Sequence, residues 1–349
     1  MIRLNQELKE LSLLFGPSGF EDRVKQAIKE KIEKCVREDS ELYEDKAGNL
    51  IYHIKNEGKP RLMINAHMDE VSLMVTEITE KGQLYFGNVG GIDPIVLSSK
   101  RVISENGICG TILTKPVHLL SSEERDKVCP VSEMLIDIGA RDKADCEKYV
   151  SIGDYFVFSA DYMELGKDLI CGKALDDRLG CAIMVRLIYE LYESKKKTDY
   201  DLYFAFTGRE EISYSTAFLA TENIRPDYAI VIESKAVSDL PDVSDDKKVA
   251  ILGDGVIVSF ADRGAIYDRG LINHIMSLCD KKDIKYQVNK YVSGGNDSAN
   301  IQKSIEGVKV SVLSAGSRYI HSQSNVISRS DFESIYKATY EVITNDRIN

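Results

Sequence analysis

Arg61-Leu62-Met63-Ile64-Asn65-Ala66-His67-Met68-Asp69 is an apolar run of strand length that stops on a potential metal ligand, with a carboxylate two residues further on. Three more runs behave alike. Leu202-Tyr203-Phe204-Ala205-Phe206 leads toward Glu210 and Glu211, and Tyr228-Ala229-Ile230-Val231-Ile232 leads into Glu233. Val308-Lys309-Val310-Ser311-Val312-Leu313 precedes His321. Between the first two runs lies Lys173-Ala174-Leu175-Asp176-Asp177-Arg178-Leu179-Gly180. In an open parallel sheet the carboxyl ends of the strands share one edge, and ligands bind there. Residues distant in sequence therefore have a way to converge. Two His and several carboxylates at one point have the composition of a two-metal hydrolytic site.

A divalent ion needs about four ligands, and a hydrolytic site keeps one position for water. The candidate ligands are His67, Asp176, Glu211, Glu233 and His321. One shared carboxylate, with one His and one further carboxylate for each of two ions, fits that set. Asp69 sits on the same side of its strand as His67, where it can accept the second imidazole N–H and fix the tautomer. Of the neighbours Glu210 and Glu211, one can bind metal while the other takes a proton from water. Three ligand carboxylates, the free Glu and a hydroxide offset the charge of two divalent ions, which would otherwise be costly to bury. Each residue alone has an ordinary explanation. Asp176-Asp177 suits a helix N-cap, Glu210-Glu211 a solvated helix start, Glu233 a loop charge and His321 a surface position. All five together at strand ends and a turn make those explanations a string of coincidences.

The chain has 349 residues, 43% hydrophobic and 29% charged, which suits one large or two medium globular domains. Its net charge of -11 argues against nucleic acid and anionic membrane as partners, because both need a basic surface. Met1 to Glu7 open the chain without the apolar core of a signal peptide, and no run approaches the roughly 20 apolar residues of a membrane span. The seven Cys are scattered without a Cys-x-x-Cys pair, as expected for reduced thiols in a cytoplasmic protein.

Helical spacing appears over 4–14 and 20–37, with Ser18 and Glu21 spaced as a capping box. Residues 41–55 read as strand with a turn at Ala47-Gly48-Asn49. From about Ser72 to Ala160 short alternating runs, divided by Gly and Pro, predict a small β-rich domain or barrel. The runs are 73–78, 83–89, 107–115, 134–138 and 155–158. After it the strand–helix alternation resumes. Helices are expected after Asp177, between the strands leading to Glu211 and Glu233, and over 268–279, 297–304 and 330–342. The last carries a second capping-box pair, Ser330 and Glu333. The expected architecture is an α/β catalytic domain split by an inserted β domain, since the candidate ligands lie on both sides of the insert.

In this order the motifs resemble the dinuclear metallo-aminopeptidases that include glutamyl aminopeptidase and the tetrahedral aminopeptidases, over nearly the whole chain. The resemblance rests on His67-Met68-Asp69-Glu70, Gly90-Gly91-Ile92, Lys115-Pro116-Val117-His118, Asp137-Ile138-Gly139 and Gly153-Asp154. Ala174-Leu175-Asp176-Asp177-Arg178, Glu210-Glu211, Gly294-Gly295-Asn296-Asp297 and Arg318-Tyr319-Ile320-His321-Ser322 complete it. It implies a zinc-peptidase-like three-layer α/β/α catalytic domain in two pieces, 1–72 and 165–349, with a small β-barrel domain for dimerisation over 73–164. It also implies two divalent metal ions, zinc or cobalt first and manganese next. Asp176 would bridge them, His67 and Glu233 would complete one site, and Glu211 and His321 the other. Glu210 would be general base and then general acid toward a metal-activated water, and Asp69 would support His67. By analogy the Asp176–Asp177 peptide bond is expected to be cis. The implied substrates are short peptides with a free N-terminus, and the implied state is a homo-oligomer of dimers that build larger, often dodecameric, shells.

The chain departs from the family pattern in places. Ser72 stands where Gly is usual, Gly208-Arg209 where Val-Gln is typical, and Glu233 where Asp is common. Ile212-Ser213-Tyr214-Ser215-Thr216-Ala217 replaces a Gly-containing run, and Ser213 is expected to narrow the pocket. A degenerate metal-binding oligomer is the non-enzyme alternative, and a two-metal deacylase or carboxypeptidase the other enzyme. A glycan hydrolase fits worse, because its paired acids flank a sugar and need no His. Acidic substrates remain compatible with the net charge if Arg178, Arg263 or Arg318 dominates locally; Arg318 serves equally as a structural salt bridge.

Overall fold

The computed structural model describes residues 2–289, 291–345 and 347–348. Met1 and Asn349, the outer bounds expected for the catalytic part, lie outside them. Four parallel strands form the centre of a mixed sheet in the order Asp201–Thr207, Arg61–His67, Tyr228–Ala236 and Lys309–Arg318. Their apolar residues run continuously instead of alternating, and Leu62 to His67 are all buried. That is the signature of a strand covered on both faces. Burying each of Leu62, Met63 and Ile64 contributes about 1.5–3 kcal/mol. The helix Leu175–Ser194 packs on Arg61–His67 and Tyr228–Ala236, and Ala217–Ile224 packs on Asp201–Thr207. The result is a three-layer α/β/α fold. Antiparallel strands extend the sheet at both sides, beginning with Leu50–Ile54 on one and Asn325–Ser328 on the other.

Residues 72–158 form a closed barrel of six strands with its own apolar interior, centred on Val75, Leu84, Val102, Ile136 and Phe156. Five strands coincide with the expected runs. The sixth, Arg101–Ser104, is too short and polar to stand out in sequence. Its inward Val102 is buried, while Arg101 and Ile103 face outward.

Both expected capping boxes are corrected. The helix Asp22–Ile32 has Glu21 at its N-cap without a side-chain cap. Ser18 instead donates its hydroxyl to Asp69 Oδ2 at 2.6 Å. In the last helix, Arg329–Thr344, the cap is Ser328, whose Oγ accepts from Asp331 N. Ser330 bonds Asp168 Oδ2 at 2.9 Å. In each case the helix starts at another residue than the spacing supposes: Glu21 and not Ser18 is the first N-cap, and Ser328 and not Ser330 the last.

Candidate metal centre

The carboxyl ends of the four parallel strands meet along one edge. His67 closes its strand, and Glu233 lies within Tyr228–Ala236. Glu210 and Glu211 come just after Thr207, and His321 just after Arg318. Asp176 arrives from the start of the helix Leu175–Ser194, where Asp176 and Asp177 depart from helical geometry. The peptide bond between them is cis, as expected.

Two ligand triads result, and Asp176 belongs to both: His67, Asp176 and Glu233 form one, and Asp176, Glu211 and His321 the other. Asp176 presents its two oxygens in opposite directions. Oδ1 lies 3.4 Å from His67 Nε2, and Oδ2 lies 3.2 Å from His321 Nε2. His67 Nε2 is also 3.7 Å from Glu233 Oε1, and His321 Nε2 is 3.2 Å from Glu211 Oε2. Glu210 Oε2 stands 4.0 Å from His67 Nε2, at the margin of the first triad.

The outer contacts orient these groups. Asp69 Oδ1 lies 3.3 Å from His67 Nδ1 and accepts from Glu210 N at 3.1 Å. Its Oδ2 accepts from Glu211 N at 3.2 Å. One carboxylate thus ties the His67 strand to the turn bearing both glutamates. His321 Nδ1 faces the carbonyl of Gly91 at 2.7 Å, which leaves Nε2 for the centre. Gly91 reaches His321 because Gly90 has φ of +93°, and a Cβ there would stand 2.9 Å from Val71 Cγ1. A non-glycine residue would break that approach.

The donors fit divalent cations. Asp176 Oδ1 is buried without a hydrogen-bond partner among the described residues. Imidazoles and carboxylates with oxygens facing inward suit zinc, cobalt or manganese. Burial pushes Glu233 well above the ordinary carboxylate range, and the charges of Asp176 and Asp177 add to it. Burial pushes Glu210 up as well; His67 opposes this, while Glu233 and Asp297 reinforce it. Burial carries Glu211 up to about 8 against the pull of His321. For His321 burial acts downward, but the Asp176 hydrogen bond and the Glu211 charge carry it up to about 10. Protons therefore occupy the metal-free cluster where divalent cations would otherwise balance the charge.

A cavity of about 280 Å³ opens over the ligands. None of the three expected arginines borders it. Arg178 is fully buried and donates to the carbonyls of Met68 and Leu11. Arg318 forms a bidentate pair with Asp239, both contacts at 2.7 Å. Arg263 is exposed, and its backbone N–H donates to the carbonyl of Gly294 on the cavity loop. Ser213 is exposed too and does not line the cavity, so it does not narrow it; it takes φ of +62° on the turn after Glu211. The parts that Ser18, the Gly91 carbonyl and Asp297 play at the site are not visible in the sequence. Asp297 is buried against Asn65 and Thr207, 2.9 Å from each. The Gly294-to-Asp297 motif was its only local signal.

Proteins similar to this chain in sequence and fold are known. A sequence from Acetivibrio thermocellus described as a putative aminopeptidase is 36% identical over 96% of this chain and 97% of its own length. The solved aminopeptidase of Desulfurococcus kamchatkensis is 32% identical, covering 98% of this chain and 94% of that one, with a TM-score of 0.91. The TET1 peptidase of Pyrococcus horikoshii, which can assemble into a tetrahedron or a large octahedral shell, is 30% identical, covering 98% and 100%, with a TM-score of 0.86. The sequence pattern of the M42 glutamyl aminopeptidase family matches residues 48–337, and the chain belongs to that family.

Proposed function

We propose that this protein is a two-metal aminopeptidase that removes N-terminal residues from short peptides. The observation that carries the reading is the sharing of Asp176 by two His-carboxylate triads, with Glu210 beside them and outside both. His67, Asp176 and Glu233 would hold one divalent ion, and Asp176, Glu211 and His321 the other. Zinc or cobalt fits this donor set first, and manganese next. When bound, such ions supply a Lewis acid for the scissile carbonyl and acidify water.

The chain's own residues do the rest. Glu210, raised by burial, takes the proton from the attacking water and returns it to the leaving amine. Asp69 holds His67 in the tautomer that leaves Nε2 free, and its bonds to Glu210 N and Glu211 N set the base and a ligand at a constant separation.

The two pieces 1–72 and 165–349 make the catalytic domain in this reading, and 73–164 the dimerisation domain. The barrel exposes Ile95, Val117, Leu119 and Val128. Ile95 and Val128 border a cavity of about 720 Å³. The shell-forming relative supports dimers that assemble further, up to dodecamers, and light scattering after gel filtration tests this. All seven cysteines are free thiols, which supports a cytoplasmic location.

The deciding experiment is hydrolysis of aminoacyl chromogenic amides and short peptides by metal-stripped protein, with zinc, cobalt or manganese restored. Metal-dependent release of N-terminal residues, lost in Glu210→Gln, is expected. Metal uptake without turnover of any free or N-blocked peptide would overturn the reading.

A further inference from the structure

Beyond the metal ligands and Glu210, the cavity wall is built mainly from hydroxyls, glycines and small apolar groups. Ser234, Ser259, Ser314 and Tyr267 contribute to it, as does Gly294-Gly295-Asn296. Among the described residues lining it, Lys235 is the one cation. Lys235 lies two residues after Glu233 on the same strand, so both side chains leave the same face of the sheet. Their backbones lie about 7 Å apart at roughly 3.3 Å per residue. Lys235 Nζ donates to the carbonyl of Ser293, on the loop that forms the opposite wall. One neutral acceptor leaves two of its three N–H groups available to a further acceptor.

The charge balance gives those protons a direction. The ligand carboxylates and Glu210 are committed to two divalent ions and a proton. Lys235 is then the one Lys or Arg of the wall. Burial pulls its pKa down, and the charges of Asp262 and then Glu233 oppose that pull. The Asp262 carboxylate already accepts from Gly264 N, Ala265 N and the Tyr267 hydroxyl, at 2.6, 2.7 and 2.6 Å. A half-buried ammonium that bonds a neutral carbonyl and keeps N–H groups free beside the cavity can donate them to an anionic acceptor.

We propose that Lys235 is a specificity residue that receives a substrate carboxylate. This rests on the aminopeptidase reading and deepens it. The carboxylate has two sources: the side chain of an acidic N-terminal residue, and the C-terminus of a dipeptide. Both place a negative oxygen a few bonds from an amino group at the metals. A Lys or Arg side chain in the same place meets like charge.

The test compares the metal-loaded wild type with Lys235→Met and Lys235→Arg on matched pairs that differ by one charge. The first pair is glutamyl and glutaminyl p-nitroanilide, and the second alanyl-alanine and its C-terminal amide. In one pair, wild type and Lys235→Arg are expected to favour the carboxylate member in kcat/KM. Lys235→Met is expected to lose about 10- to 100-fold of that ratio, the range of a hydrogen bond to a charged group. Because the readout is a ratio within one variant, a general loss from a loosened Ser293 loop cancels. The pair that responds identifies the source. Turnover of neutral amides with both ratios equal in wild type and Lys235→Met would overturn the inference and leave the aminopeptidase reading standing. If no amide is hydrolysed, the aminopeptidase reading fails. Calorimetric binding of glutamate against glutamine, and of alanyl-alanine against its amide, then still judges Lys235. Loss of the preference in Lys235→Met would support its role, and no Lys235-dependent difference in either pair would overturn it.

Discussion

The two ligand triads share Asp176, yet they are built differently. His67 closes a buried central strand, is 2% exposed at its side chain, and faces a carboxylate that also ties down Glu210 and Glu211. His321 is 28% exposed, sits on a turn with φ of +57°, and is oriented by a backbone carbonyl from the barrel segment. A charged partner polarises an imidazole more than a peptide carbonyl does, and a rigid strand holds it better than a loop. The comparison teaches that one ligand triad is anchored in the sheet through His67 and Glu233, while the other takes Glu211 and His321 from turns. The first should therefore bind more tightly and exchange more slowly.

The largest effect is expected from Asp176→Ala, which removes the group common to both triads. Metal analysis should find both ions lost and activity down by more than about 10³-fold; retention of one ion would break the symmetry of the sharing. Glu210→Gln should come next, with both ions kept and kcat down by about 10²- to 10⁴-fold. Metal loss in that variant would move Glu210 into the ligand set. Asp69→Asn should weaken metal affinity or activity by about 10- to 100-fold. Limited chelation should then remove the ion at His321 first, leaving roughly one ion per chain before both are gone. Metal content measured against residual activity checks this, and simultaneous loss would mean that the two positions are equivalent.

The last effect is graded with pH. Glu211 and His321 hold protons in the metal-free chain, Glu211 up to about 8 and His321 up to about 10. Metal binding must release them, so affinity should rise with pH up to about 10, where His321 loses its own proton, and fall again on acidification. Calorimetry in buffers of different ionisation enthalpy reads the proton release directly. Affinity independent of pH would show that the ligands are already deprotonated.

Much of the centre was legible in the chain itself, because its signals are local. A continuous apolar run closed by His or Glu marks a doubly covered strand and the edge where it ends, and four such runs predict a common edge. The barrel was legible for the same reason, except for Arg101–Ser104, where the inward pair Val102 and Ser104 has only one apolar member and so shows no hydrophobic alternation. Only the tertiary structure decided what each polar residue near that edge does. Ser18 has the spacing of a helix cap, but the helix begins after Glu21, and the Ser18 hydroxyl donates to Asp69 at 2.6 Å. Arg178 has the position of a substrate-binding cation, but carbonyls from elsewhere in the chain consume its donors beneath the site. Lys235 carried no motif at all, and it becomes the cavity's cation because strand alternation turns it to the side of Glu233. Hydrophobic patterning is written residue by residue along the chain. The partner of a hydrogen bond or a charge is chosen among groups that meet only after folding.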